Sequence, residues 1–345
     1  MVGPGEIARR ARGRVTGRLE SLPILALSVH SACNCRCVMC DIWKANAERR
    51  EISPEDLSRH IEAIHALRVQ RVMLTGGEPL LHRNLWALCA QLQAIGIRIT
   101  LVTTGLLLEN HAAAVAACID TVVVSLDGPR AAHDGIRRVN GAFDRVAKGL
   151  MALRARTPTP RLIARSVVQR ENAGAIAETI AAARHMGFDE ISFLAADVSS
   201  TAFNRLSPWP ESRSREIALD AQGVAVLEAA IASAVTQHPR LFDNGFIGGG
   251  RASLDRIAQY FRAILGTSQF PKVHCNAPWV SAVLEPGGTL RPCFFQEEYG
   301  SASEHLEHAL NGDRAVDFRR RLEVAGNDTC RRCVCSLNLP LTARA

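Results

Sequence analysis

The sequence predicts an α/β fold in which a parallel sheet is wrapped by helices. Three observations predict it. Six short apolar runs alternate with stretches of helical periodicity; residues 121–126 (TVVVSL) are β-branched on consecutive positions, as a strand covered on both faces requires; and the polar, glycine-bearing turns follow the strands. Residues 24–30 read as the first strand, followed by a cysteine-rich loop. A helix then opens at Ser53-Pro54-Glu55-Asp56, with Ser53 as cap and Pro54 in the first turn, and carries an apolar stripe of Leu57, Ile61 and Ile64. Residues 71–75 form the second strand, before Gly76-Gly77-Glu78-Pro79. The next helix repeats Leu85, Leu88, Cys89, Leu92 and Ile95 at helical spacing until Gly96 stops it. Strands follow at 97–103, 121–126, 162–169 and 190–194, the last two separated by an Ala-rich helix around 173–186. In parallel sheets, open or curled toward a barrel, functional loops gather where the strands end, so these turns should converge on one rim.

Beyond Leu194 the alternation stops. Residues 195–250 read as mixed loop and helix bearing Phe203, Trp209, Phe242 and Phe246, and the segment from His274 is short, turn-rich and cysteine-bearing. With 345 residues, 47% apolar and 22% charged, the composition is globular with ample core, either as one large domain with an appendage or as two domains. The net charge of +7 comes from Arg (all but three of the 41 cationic residues), spread along the chain and not gathered on a stripe, which argues against a nucleic-acid face. No uninterrupted apolar run reaches the roughly 18 residues of a bilayer span, so a soluble protein without a transmembrane segment is expected. In residues 1–20, Arg9, Arg10, Arg12, Arg14 and Arg18 face only Glu6 and Glu20. This basic arm reads as a frayed, solvated terminus in preference to a transit peptide or an anionic-surface anchor.

The eleven cysteines carry the most information. Cys33, Cys35, Cys37 and Cys40 crowd one loop, and Cys275, Cys293, Cys330, Cys333 and Cys335 lie late. No secretory signal precedes them, so a cytoplasmic setting is expected, where thiols packed this tightly serve metal rather than disulfides. Cys89 and Cys118 stand alone on apolar stretches and read as small buried hydrophobes. The spacing C-x3-C-x2-C of Cys33, Cys37 and Cys40 can hold three corners of a cubane iron-sulfur cluster and leave one iron open. A structural zinc site is the alternative, though such sites usually close with four ligands. Cys35 is either a substitute ligand or a passive thiol.

With C-x3-C-x2-C, GGEP and SLDGP in that order over roughly positions 20–195, the chain resembles the radical S-adenosylmethionine (radical SAM) superfamily. The resemblance implies an α/β fold of the partial (β/α)6 TIM-like barrel kind with a small C-terminal auxiliary-cluster segment. It also implies a [4Fe-4S] cluster on Cys33, Cys37 and Cys40 that binds SAM and cleaves it reductively to methionine and a 5'-deoxyadenosyl radical, which takes hydrogen from substrate. Met39 stands where the family usually has an aromatic near adenine. Gly76, Gly77 and Pro79 shape a turn that lets backbone approach SAM, and Glu78 offers acceptors to its amino group. Thr104 replaces a frequent Asn near the ribose; Ser125 resembles a SAM-contacting residue; Arg137, with Arg138 as its neighbour, resembles the partner of the SAM carboxylate; and Leu194 resembles an adenine contact. Arg165 and Gln169 on the fifth strand could face the cavity, a salt bridge or a helix contact being the more ordinary fate.

Cys275, Gly288 and Cys293, followed by Cys330-x2-Cys333, resemble the twitch (half-SPASM) extension of such enzymes. Residues 281–285 and 290–295 read as a β-hairpin across Pro286-Gly287-Gly288, bringing Cys275 near Cys293. The resemblance implies an auxiliary [4Fe-4S] cluster on Cys275, Cys293, Cys330 and Cys333, with Cys335 able to replace Cys333 and a zinc knuckle as the alternative. The domain order expected is therefore a basic arm at 1–20, a radical SAM core at 21–196, linker or lid helices at 197–273 and the auxiliary segment at 274–345. Phe203, Asn204 and Trp209 are candidate lid residues, and Gly248-Gly249-Gly250 reads as a flexible linker.

The short stretch ahead of the first strand leaves no room for a leader-peptide-binding domain, which favours a small-molecule substrate, or a peptide or lipid presented by another protein. A flavodoxin- or ferredoxin-type electron donor is implied. The rival readings are a peptide- or protein-modifying maturase and a non-catalytic iron-sulfur or zinc protein that binds nucleic acid. No general base can be named from the sequence.

Overall fold

The computed structural model describes residues 1–302 and 305–345. All six expected strands form, with ends shifted by a residue or two: β1 (Ile24–His30), β2 (Arg71–Gly76), β3 (Arg98–Thr103), β4 (Thr121–Ser125), β5 (Arg161–Val168) and β6 (Glu190–Ala195). Each pairs in parallel with the next. Ahead of them lies α1 (Pro4–Thr16), and between them run α2 (Pro54–Ser58), α3 (Ile61–Ala66), α4 (Leu85–Ala94), α5 (Leu108–Cys118), α6 (Arg130–Arg137), α7 (Ala142–Arg154) and α8 (Ile176–His185). The helix expected from Ser53 onward is capped as read, by a reciprocal box with Asp56, but breaks at Arg59 and His60 into α2 and α3.

Burial alternates along the strands. Leu25, Leu27, Val72, Leu74, Ile99 and Leu101 are fully buried against the helices, whereas Met73, Thr75, Val102, Arg165 and Leu194 are half-buried. Successive side chains point to opposite faces, so one face packs on helices and the other lines an open lumen. The sheet does not close, and the architecture is a partial barrel.

Four helices follow: α9 (Glu211–Ile217), α10 (Ala221–Gln237), α11 (Pro239–Asp243) and α12 (Gly250–Ile264). Contacts of α10 with α8 and of α12 with β6 continue the outer helical layer. Residues Glu211–Gln237 form the single stretch, among the described residues, long and apolar enough by length and composition to cross a membrane. It is interrupted between α9 and α10, and α10 buries Val224, Leu227 and Ile231. The glycine run is not a flexible linker. Gly248 passes so close to β6 that a Cβ there would lie 2.6 Å from Glu190 Oε1, and Gly249 (φ 74°) and Gly250 (φ 58°) turn the chain into α12.

The remaining elements are α13 (Ala277–Val280), β7 (Ser281–Leu284), β8 (Thr289–Arg291), β9 (Gly300–Ser301), α14 (Leu306–Asn311), α15 (Asp313–Arg321) and α16 (Asp328–Arg331). The expected hairpin forms, but its second strand stops at Arg291, before Pro292, which has no N–H for a ladder. Sequence reading did not foresee that β7 adds to β1 in parallel, Ile24 opposite Ser281. The sheet order is therefore β6-β5-β4-β3-β2-β1-β7-β8-β9.

The N-terminus is not frayed. Residues 4–16 are helical, with Pro4 in the first turn, and Arg10 is 3% exposed. Its Nε lies 2.8 Å from Glu6, and its Nη1 donates to the carbonyls of Leu341 and Ala343 at 3.4 and 2.7 Å. The C-terminal tail thus supplies the partner that no local pattern announces. Replacing Arg10 with Ala leaves these carbonyls unpaired and Glu6 with only Arg9 and Ser21 as partners, and should cost about 3 kcal/mol of unfolding free energy by urea titration. A loss below about 1 kcal/mol would show a helix only loosely attached.

Candidate functional site

The cysteine loop follows β1 and is pinned from every side. Asn46 accepts from the Cys33 N–H and donates to the Cys33 carbonyl, both at 2.9 Å. The N–H groups of Arg36 and Val38 donate to the carbonyls of Arg137 and Ile136 at 3.2 and 3.0 Å, so the loop docks on the C-terminal end of α6. His30, 2% exposed, accepts the Ala32 N–H at Nδ1 and faces Glu51 through Nε2 at 3.1 Å. Gly77 N–H donates to His30 O at 2.7 Å and Glu78 N–H to Ala32 O at 2.9 Å. A Cβ at Gly77 would lie 2.1 Å from Ala32 O, and one at Gly76 (φ 125°) 2.4 Å from His30 O. The two glycines are therefore required by the close approach of the cysteine loop itself.

A clamp missed in the sequence covers the loop's far side. Arg205 is buried with Asp197 in an ion pair of 2.6 Å, donates to Met39 O at 3.2 Å, and stacks 3.8 Å from the Trp209 ring centroid. Trp209 Nε1 donates to Asp41 at 2.8 Å and Asn204 to the Asp41 carbonyl at 3.4 Å. Phe203 meets Phe295 edge-on at 5.9 Å. These candidate lid residues are packed onto the loop, and the only local hint of the clamp is the density of arginine and aromatic side chains in 203–213.

Within the loop, Cys35 is 1% exposed and hydrogen-bonded to both Cys33 and Cys37. That bond lowers the Cys33 pKa against the opposing effect of burial. It brings Cys37 down to about 6, with burial opposing and the Arg137 charge assisting, which makes Cys37 a thiolate at neutral pH. Cys35 keeps its proton, raised by its bonds to both neighbours and by burial. Burial and the Cys37 charge push Cys40 up to about 12. Crowded sulfurs of this kind fit a cationic metal core, which relieves both burial and mutual repulsion.

The rim residues divide on inspection. Glu78 is fully buried and spends all four acceptor positions: Oε1 takes Leu80 N–H and Thr103 Oγ1 at 3.1 and 2.7 Å, and Oε2 takes Thr104 N–H and Oγ1, both at 2.7 Å. It straps β2 to β3 and has no acceptor left for an amino group. The Thr104 hydroxyl is likewise held, between Glu78 and Asn34. Arg137 is buried against Asp127 at 2.5 Å, with Nη1 3.5 Å from Cys37 Sγ, while Arg138 is exposed at φ 52°. Burial works against the Arg137 charge, but Asp127 and Cys37 outweigh it and raise its pKa. Of the two arginines the sequence offers, Arg137 is the one that reaches the cysteine loop, and its charge is already paired with Asp127. Met39 and Pro79 are buried; Ser125 and Leu194 are half-buried on the lumen side, and the Ser125 hydroxyl makes no side-chain bond among the described residues. Gln169 is 1% exposed with neither amide atom partnered by the protein, and Asn34 Nδ2 and Arg137 Nε are also without a protein partner.

The late cysteines come together. Cys275, Cys293, Cys330, Cys333 and Cys335 line one cavity with Phe295, Leu322 and Val324. Cys275 precedes α13 and Cys293 follows β8, so both sit where the parallel strands begin, the end also crossed by the C-terminal tail. Gln296 Nε2 lies 3.2 Å from Cys330 Sγ, and the Cys335 N–H donates to Cys333 Sγ at 3.3 Å. Burial raises Cys293 to about 11. Among the described residues, no three His, Cys, Asp or Glu side chains are gathered tightly enough for a single metal ion. Cys89 is fully buried and Cys118 half-buried, as expected of packing residues.

Residues 27–192 match the family model of the radical SAM superfamily, and residues 275–334 that of an iron-sulfur cluster-binding domain, SPASM. The GTP 3',8-cyclase of Geobacter sulfurreducens is 35% identical over 162 residues, 45% of this chain and 49% of that protein. The Fe-coproporphyrin III synthase of Methanosarcina barkeri is 30% identical over 134 residues, 38% of this chain and 34% of that protein. The chain thus matches half or less of these relatives' length. Among solved structures, Streptococcus suis SuiB bound to S-adenosylmethionine superposes with a TM-score of 0.63 at 16% identity, over 96% of this chain and 76% of that one. Native anSMEcpe with bound AdoMet gives 0.62 at 17% identity, over 90% and 88%. At these identities the likeness is one of fold.

His133, fully buried beside this site, accepts the Asp127 N–H at Nδ1. Burial and then the Arg137 charge push its pKa down from 6.5 to about 4. The folded state therefore binds fewer protons than the unfolded one between these values, and stability falls as pH drops below 6.5. Between pH 7 and pH 5 the wild type should lose about 2 kcal/mol more than His133→Asn, whose amide oxygen can keep the Asp127 bond. Parallel pH profiles of the two in urea would contradict this.

Proposed function

The chain belongs to the radical SAM superfamily, and from that premise we propose that it is an enzyme that takes a hydrogen atom from a small metabolite held in the barrel lumen. The observation that carries this reading is the lumen itself, with one cysteine group at the rim and a second where the strands begin. The family's cofactors are S-adenosylmethionine, the [4Fe-4S] cluster that binds it and, with the SPASM domain, an auxiliary [4Fe-4S] cluster.

Cys33, Cys37 and Cys40 would hold the first cluster, and Cys275, Cys293, Cys330 and Cys333 the second, with Cys335 on the same cavity wall as the alternative to Cys333. When bound, the first cluster and SAM supply a 5'-deoxyadenosyl radical by one-electron cleavage of the sulfonium. The protein's own part is placement. Arg137 balances the charge of Cys37, and Cys35 stays a neutral thiol between Cys33 and Cys37. The backbone of Gly76 and Gly77, rather than the spent Glu78 side chain, would meet the SAM amino group. Ser125, Leu194, Met39 and Gln169 are the residues left to contact the rest of the cofactor. The Arg205 clamp holds the loop and keeps water from its far side. The 21–196 core and the 274–345 segment act as one unit through the β1–β7 pairing, with 197–273 as outer wall rather than lid. An electron enters from a flavodoxin- or ferredoxin-type donor.

A peptide substrate is the second reading. The sheet that does not close favours it, since an open lumen can admit a longer substrate than a sealed one. The SuiB fold neighbour has been captured with its precursor peptide SuiA, which makes this reading worth an arm of any substrate search.

Protein reconstituted anaerobically with iron and sulfide should yield 5'-deoxyadenosine from SAM under dithionite, and Cys40→Ala should abolish it. Persistence of the product in Cys40→Ala would remove the first cluster from these residues. Cys293→Ala should lower the iron content by about four per chain while leaving the iron of the first cluster in place, and an unchanged iron content would reject the second assignment.

A further inference from the structure

We propose that Arg165 anchors an acidic group of the substrate, so that the molecule taken into the lumen carries a carboxylate or a phosphate. The inference rests on the lumen being the substrate's place, as argued above. Arg165 lies on β5 in register with Ser125 of β4 and Ser192 of β6. It shares the lumen face with Ile163 and Val167, which are half-buried like itself, while the alternate residues Leu162, Ala164, Ser166 and Val168 are buried. Its Nε donates to Ser192 Oγ at 2.9 Å, and that serine in turn reaches the Ala164 carbonyl at 3.3 Å, so the guanidinium is aimed by its neighbour.

The rest of the guanidinium is unclaimed. Neither Nη1 nor Nη2 has a hydrogen-bond partner, and no carboxylate lies within ion-pair reach, among the described residues. Among the buried arginines, Arg10, Arg137 and Arg205 each face a carboxylate, at 2.8, 2.5 and 2.6 Å, and Arg319 donates to the carbonyls of Gly17 and Leu310 and lies over the Tyr299 ring. Half-buried Arg165 has, among the described residues, neither a carboxylate nor a carbonyl on its two terminal nitrogens. Two paired N–H groups in one plane match the oxygen spacing of a carboxylate or a phosphate.

Position supports the assignment. Arg165 stands midway along β5, level with Ser125 on one side and Ser192 on the other. A molecule held there lies between the two cysteine groups. Gln169, two steps further along the same alternation and assigned above to the cofactor, marks the rim side of this position.

The test uses reconstituted holoenzyme with SAM, titrated separately with sodium phosphate and sodium acetate at an ionic strength fixed with chloride, reading the thermal unfolding midpoint. A saturable rise with either anion is expected, phosphate alone marking a phosphate ester and acetate alone a carboxylic acid. Half-saturation should weaken about tenfold or more in Arg165→Gln and less in Arg165→Lys, which keeps charge without the fork. No saturable rise with either anion, or a response retained within about twofold in Arg165→Gln, overturns the proposal. Should Arg165→Gln fail to fold by circular dichroism, Arg165→Lys carries the comparison, and an unchanged half-saturation there overturns it equally. Formation of 5'-deoxyadenosine by the wild type is read in parallel. Its absence sinks the enzymatic reading, whereas the anion response judges Arg165.

Discussion

The buried pair of Asp127 and Arg137 holds together the parts on which the rim depends. Asp127, the middle residue of SLDGP, has no exposure, takes the Val167 N–H at 2.8 Å through one oxygen and faces the guanidinium at 2.5 Å through the other. Strands β4 and β5 are thereby tied to α6, and the last carbonyls of α6 hold the cysteine loop. Breaking such a pair from one side leaves a charge without water or partner, a loss of about 3–5 kcal/mol. One guanidinium serves two anions here, Asp127 and the Cys37 thiolate. The remaining negative charge is what makes the loop a place for a cationic metal core.

Much of the fold was legible in the sequence. The six strands announce themselves because each is short, β-branched and bounded by a turn, and parallel pairing follows from the helices between them. The cysteine groups were legible for a different reason, since thiols at these spacings match the ligand patterns of metal clusters. What escaped is what depends on partners far along the chain. Arg10 is ordered by carbonyls more than 330 residues away, Arg205 by Asp197 and the Met39 carbonyl, and β7 by an edge of β1 that no local pattern marks as free. Glycines 248–250 misled for a related reason: a run of glycine reads as slack until the strand pressing on it is seen.

Glu78 shows how a motif can be recognised and its chemistry misassigned. A carboxylate on a rim reads naturally as a group waiting for a cation. In the fold its oxygens are consumed by Leu80, Thr103 and Thr104, and its work is to fix two strand ends against one another. The groups that do remain open, Ser125, Gln169 and Arg165, stand among the sequence candidates, but polar residues on strands are common and nothing local separates an open one from a spent one. Their significance comes from what they lack, and only a full accounting of neighbours reveals it.

The addition of β7 beside β1 has a mechanical consequence. Strand β1 ends in the cysteine loop, while the segment entering β7 carries Cys275, so a single extended strand of seven residues, about 23 Å from end to end, acts as a ruler between the two thiol groups. An extended backbone has almost no slack to give. The gap is therefore gauged by covalent geometry, and a guest molecule must conform to that span instead of setting it.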